Sequence, residues 1–87
     1  MAVEISAFQQ LMEDVYGEAD RARGVPSTVA WLAEEIGELA QAVRKGTPEQ
    51  QRHEFGDVFA WLCSLANQLD ISLEEAAQRY VDDPPLP

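Results

Sequence analysis

Positive charge is scarce in this chain. Lys+Arg number 6 against 16 Asp+Glu, the formal net charge is -10, and Lys45 is the only lysine. Neutralising several phosphates of a nucleic-acid duplex takes a clustered basic surface. Five scattered arginines and one lysine do not supply it, so duplex DNA or RNA and anionic lipid are poor partners. An acidic protein still binds an anionic substrate when a divalent cation stands between them. Cysteine is almost absent too. Cys63 has no partner for an intrachain disulfide and lies in an apolar run, so it reads as a buried core thiol. The missing disulfide framework suits a reducing, cytoplasmic setting. No apolar run reaches the roughly 18 residues of a membrane span. The stretch 1–8 carries Glu4 and lacks a basic region leading into an apolar one, so no signal peptide is expected.

At 87 residues the chain has room for one domain. A domain this small buries only about 60% of its unfolded surface, which makes a lone monomer marginal and favours association between copies. The 46% hydrophobic content argues against disorder.

Strand-like alternation is also missing, and the fold is expected to be all-α, a bundle of about four helices completed by homo-oligomerisation. The five prolines fall at 26, 48, 84, 85 and 87 and interrupt no periodic segment. A first helix fits residues 6–22, with Ser6 and Gln9 at capping-box spacing and Phe8, Leu11, Met12, Val15, Tyr16 and Ala19 as its apolar stripe. Arg23-Gly24-Val25-Pro26 reads as a loop. A second helix runs from Ser27 or Thr28 to Lys45, with Val29, Leu32, Ala33, Ile36, Leu39, Ala40 and Val43 toward the core, and Gly46 stops it. Thr47, Pro48 and Gln50 open a third helix that extends to Leu69 and is apolar nearly all round at 58–66. Ser72 and Glu75 are expected to form a further capping box at the start of a short fourth helix carrying Leu73, Ala76, Ala77, Tyr80 and Val81. The domain is expected over residues 1–81, with 82–87 as a loose acidic and proline-rich tail.

Two acidic groups stand out: Glu34, Glu35 and Glu38 on the second helix, Glu54 and Asp57 on the third. Residues three or four apart share a helix face. Because only Gly46-Thr47-Pro48 separates the two helices, they should run antiparallel and adjacent. Reflection through that link sets Glu38 level with Phe55, Glu35 level with Val58, and Trp31 level with Trp61. Faces turned toward each other would bring four or five carboxylates together. Such a group repels itself unless it holds protons or cations. Oxygen-only ligands favour Mg²⁺, Mn²⁺ or Ca²⁺, and Mg²⁺ leaves positions for water and phosphate oxygens, which suits phosphoanhydride cleavage. An acidic helix face is ordinarily just solvated, but here a tryptophan accompanies each cluster, to cover another subunit or hold a nucleobase. His53, beside Glu54, reads as a surface residue rather than a ligand.

At these residues the chain resembles the MazG-like members of the all-α nucleoside triphosphate pyrophosphohydrolases. The resemblance rests on Glu34-Glu35-x-x-Glu38 followed by Glu54-x-x-Asp57, and on the Leu69-Asp70-Ile71-Ser72-Leu73 ending, and it spans about residues 6–80. It implies Mg²⁺-dependent hydrolysis (Mn²⁺ a possible substitute) of a nucleoside triphosphate to the monophosphate and pyrophosphate, in homodimers or homotetramers. It makes Glu35, Glu38, Glu54 and Asp57 metal ligands and Glu34 an added ligand or the base that activates water. The resemblance implies Lys, Asn or Arg in and just after the last helix, reaching the triphosphate; here only Arg79 is positive in that region, and Arg44, Lys45 or Arg52 would have to grip phosphate instead, across a subunit boundary if need be. Trp31 and Trp61 are candidates for stacking on the base. Neighbouring possibilities are a dUTPase-type or phosphoribosyl-ATP pyrophosphohydrolase relative and, outside enzymes, an acidic helical dimerisation or nucleotide-binding module.

Overall fold

The computed structural model describes residues 2–87; Met1, the first residue of the domain expected over 1–81, lies outside them. Four helices follow in order: α1 (Ile5–Arg23), α2 (Val25–Lys45), α3 (Pro48–Gln68) and α4 (Leu73–Asp82), with no strand among the described residues. α3 is the central rod. It packs along both α2 and α1, while α1 and α2 touch little and α4 leans on α1.

The connections are short because single residues turn the chain. Between α1 and α2 the expected four-residue loop shrinks to Gly24, whose φ of 88° is open to glycine and strained for other residues. Its carbonyl accepts from Thr28 N–H at 3.0 Å and from Thr28 Oγ1 at 2.9 Å, so α2 begins at Val25 rather than at Ser27 or Thr28. Pro26 is tolerated because the first-turn N–H would be unpaired anyway. At the α2–α3 corner, a Cβ on Gly46 would meet the Ala42 carbonyl oxygen at 2.8 Å, so the close approach itself requires glycine. Thr47 and Gln50 form the reciprocal capping box, Gln50 N–H donating to Thr47 Oγ1 at 3.1 Å and Thr47 N–H to Gln50 Oε1 at 2.8 Å. After α3, Asp70 adopts φ 56° while Ile71 N–H donates to the Ala66 carbonyl at 2.9 Å, and Ser72 Oγ then accepts from Glu75 N–H at 3.2 Å, which is half of the expected capping box, since the Glu75 side chain does not bond back to Ser72 N–H. α4 runs to Asp82, one residue into the expected tail.

Two expectations are corrected. Ser6 and Gln9 make no capping box. Glu4 is the N-cap of α1 and caps through no side-chain bond, and Gln9 lies buried inside the helix. Its amide instead ties α1 to the α3–α4 turn. It donates at 2.9 Å to Asn67 Oδ1 and at 2.7 Å to the Ile71 carbonyl, and accepts at 2.9 Å from Leu73 N–H. Gln9→Ala strands those groups, each at about 1–3 kcal/mol when buried. A lower melting midpoint is expected, at roughly 4–8 °C per kcal/mol for a domain this size. Hydrogen exchange should accelerate first in α4, and an unchanged melt would remove Gln9 as the clamp.

The second correction concerns faces. The stripe assigned to the core of α2 is largely solvent-facing in the single chain, with Ile36 51% and Val43 59% exposed, and Leu11, Val15 and Tyr16 of α1 are exposed as well. Only Leu32 and Leu39 of the α2 stripe are half-buried. The buried positions of α2 are Thr28 and Ala42, with half-buried Glu35 between them on the same side. Gln68 Nε2 donates to Thr28 Oγ1 at 2.8 Å and Gln51 Nε2 to the Ala42 carbonyl at 3.1 Å, which pins that side to α3 at both ends. Apolar periodicity marks a face that must be covered, but does not say by what. The intrachain core is small: Met12, Ala42, Cys63 and Ala66, with Phe8 stacked on Phe59 at 5.4 Å.

Candidate metal centre

The inward turn of α2 sets its acids against those of α3. Glu35, Glu38 and Glu54 each offer a carboxylate oxygen within 4.8 Å of the others. His53, Glu54 and Asp57 form a second group within the same limit, so Glu54 is common to both. His53 is largely exposed and its Nε2 lies 3.2 Å from Asp57 Oδ2, one turn along α3. Glu34, on the outer side of α2, is exposed and belongs to neither group.

These carboxylates are not simply solvated. Glu35 Oε2 and Glu54 Oε2 are both buried, and neither has a hydrogen-bond partner. Burial pushes the Glu35 carboxyl above its ordinary value, and the neighbouring charges of Glu38, Asp57 and Glu54 push it the same way. A buried acceptor without a donor is costly. Four carboxylates around one helix crossing compound that cost by mutual repulsion. What the arrangement lacks is positive charge with room for several oxygens. The donor set is oxygen-rich and flexible, as hard divalent cations require. The residues present therefore fit such an ion.

The tryptophans lie at one height. Trp31 and Trp61 stack with ring centroids 6.0 Å apart and planes at 17°. The Arg23 guanidinium sits 4.8 Å from the centre of the Trp61 ring and also pairs with Asp20 Oδ1 at 2.8 Å. Two cavities flank the acids. One, of about 460 Å³, is lined by Glu38, Gln41, Lys45 and Glu54, so Lys45 shares a cavity with two of the carboxylates. The other, about 290 Å³, lies between α1 and α3 and includes Asp57, Trp61, Asp20 and Arg23. Arg79 is in neither: its guanidinium rests 4.7 Å from the centre of the Tyr80 ring on α4. Arg44 and Arg52 are exposed. Sequence reasoning passed over Asp20 and Arg23. Their i,i+3 spacing of opposite charges at the end of α1 is a local signal for the pair, but only the folding of α1 onto α3 brings the pair to Trp61.

The family model of the MazG nucleotide pyrophosphohydrolase domain matches residues 23–82. The chain belongs to this family, whose activity in general is nucleotide pyrophosphohydrolysis. It is also 41% identical over 88 aligned residues to YpjD of Bacillus subtilis (strain 168), an uncharacterized protein, with 80% of this chain and 79% of YpjD covered. No helix among the described residues is long and apolar enough to cross a membrane.

Proposed function

We propose that the chain is a Mg²⁺-dependent nucleoside triphosphate pyrophosphohydrolase, with Mn²⁺ as a possible substitute, converting a ribo- or deoxyribonucleoside triphosphate to the monophosphate and pyrophosphate. Removal of non-canonical nucleotides in the cytoplasm is the role that suits such a reaction. The observation that carries the reading is the cluster of Glu35, Glu38 and Glu54 oxygens within 4.8 Å in a chain of this family. The partnerless Glu35 and Glu54 oxygens support it.

In this reading Glu35, Glu38, Glu54 and Asp57 hold the ion. When bound, a divalent cation supplies positive charge that neutralises phosphate oxygens and acidifies water. Glu34 lies about 40° around α2 from Glu38. Exposed to solvent and outside the ligand groups, it is the proposed base that takes the proton of the attacking water. Attack at the α-phosphorus forms the new P–O bond to the monophosphate as the bond to pyrophosphate breaks, so no covalent nucleophile is needed. Lys45, which lines one cavity with Glu38 and Glu54, is the proposed counter-charge to the phosphates. Arg79 would need a second copy of the chain to bring it near. Trp31 and Trp61, stacked on each other, bound the site and serve the base as a wall more readily than as a slot. The exposed apolar faces of α1 and α2 support a homodimer or homotetramer.

A panel of ribo- and deoxyribonucleoside triphosphates with Mg²⁺, scored by product, tests the reaction. Monophosphate plus pyrophosphate is expected. Diphosphate plus phosphate would reject attack at the α-phosphorus, and no turnover with any nucleotide would leave the chain a binding module.

A further inference from the structure

One buried charge is not used by this mechanism. Asp20 is 2% exposed on the inner side of α1, ahead of residues 23–82 matched by the family model. Its Oδ1 accepts from the Arg23 guanidinium, but its Oδ2 is buried with no partner. Half of the carboxylate is thus satisfied and half is not. Asp20 and Arg23 line the cavity between α1 and α3 together with Met12, Tyr16, Trp61 and Asp57. Asp57 also reaches the acidic group, since one of its oxygens lies within 4.8 Å of a Glu54 carboxylate oxygen. The cavity therefore adjoins the place where phosphates would be held. Its volume of about 290 Å³ suits a single ring system, and its walls mix an apolar side with a few fixed polar groups, the usual make-up of a small-molecule pocket.

We infer that this cavity receives the base of the nucleotide and that Asp20 is its specificity-determining residue, selecting bases that carry an exocyclic amino group. The inference rests on the proposed nucleotide chemistry of the neighbouring acids. A lone carboxylate oxygen can only accept, so it calls for an N–H donor. An exocyclic amino group, as on cytosine or adenine, projects beyond its ring and has a ring nitrogen beside it. Oδ2 can take the amino hydrogen while Arg23, held next to it through Oδ1, donates to the ring nitrogen. In uracil and thymine the edge N–H is recessed between two carbonyl oxygens, and one of these would face a carboxylate oxygen. Trp61, held by Trp31 on one hand and Arg23 on the other, keeps the pocket wall in place. A site whose buried polar group is left unpaired by the wrong ligand discriminates strongly.

The test compares cytidine and uridine triphosphates on the wild-type protein and on Asp20→Asn, with Mg²⁺, and in parallel measures binding of the two monophosphates by quenching of tryptophan fluorescence. The wild type should favour cytidine by about 10- to 100-fold in kcat/KM, the range of a hydrogen bond to a charged group. Asp20→Asn should bring the two bases within about threefold, by lowering the cytidine value and by raising the uridine value as the carboxylate charge facing its carbonyl is removed. An equal loss for both bases would mark Asp20 as merely structural and overturn the inference, as would equal wild-type values. If no triphosphate is cleaved but the cytidine monophosphate binds in preference to the uridine one, the base pocket stands and the pyrophosphohydrolase reading falls. Absence of both binding and cleavage sinks both. If the variant fails to fold, the wild-type comparison decides alone.

Discussion

Glu35→Gln is expected to reduce turnover by more than about a hundredfold while leaving the metal-free protein at least as stable as the wild type. Partners that merely orient a metal ligand already cost 10- to 100-fold when removed. Glu35 would be a ligand itself, with its oxygen in the only group shared by α2 and α3 among the described residues. The opposite sign on stability follows from the surroundings. Burial, Glu38, Asp57 and Glu54 all resist a charge on Glu35, and Gln keeps the shape without that charge. In chelator the melting midpoint should therefore hold or rise, at roughly 4–8 °C for each kcal/mol of repulsion relieved. Glu38→Gln should behave alike in activity. A fall in midpoint together with wild-type turnover would mean that Glu35 is a structural residue and that the ion, if there is one, sits elsewhere.

A second expected result concerns pH and divalent cations. The folded Glu35 carboxyl lies above its ordinary value of 4.5, so the folded state holds this proton more tightly than the unfolded chain does. Its contribution to stability is then fully present below that ordinary value and is lost as pH rises through the raised one. In chelator, the Glu35 contribution should lower the midpoint across that window. A cation needs the ionised carboxylate, so its effect runs the other way. At about a hundred times its dissociation constant, a ligand of the folded state adds about 2.7 kcal/mol, which is roughly 10–20 °C here. The melting curves with and without Mg²⁺ should diverge as pH rises from 5 to 8, and Glu35→Gln should remove much of the divergence. A cation shift that is absent, or constant over this range, would disconnect the carboxylates from metal binding.

Much of the helical layout is readable from short-range chemistry. The Thr47–Gln50 box, the stop at Gly46 and the Ser72 cap involve groups within a few residues, and the folded protein uses all three. The pairing of the two acid groups across a three-residue link is a matter of helix rise and a forced reversal, and Trp31 stacks on Trp61 at the height that reflection gives. The failures are equally specific. Ser6 and Gln9 have the spacing of a cap, yet the Gln9 amide has better partners sixty residues away at Asn67, Ile71 and Leu73. Ile36 and Val43 have the periodicity of a core, yet they face outward, because the chain lays the acid-bearing side of α2 on α3.

The amino-acid order by itself determined an all-helical chain, its corners and the carboxylates of a MazG-family protein, since each depends on local geometry or on residue chemistry alone. Which side of each helix turns inward was decided only in three dimensions. That choice buried oxygens of Glu35 and Glu54 without partners and brought Asp20 and Arg23 of α1 to Trp61 of α3. The physical reason is that a helix carries two usable faces. Local sequence sets what each face contains, whereas the competition among all packed surfaces sets which one is covered.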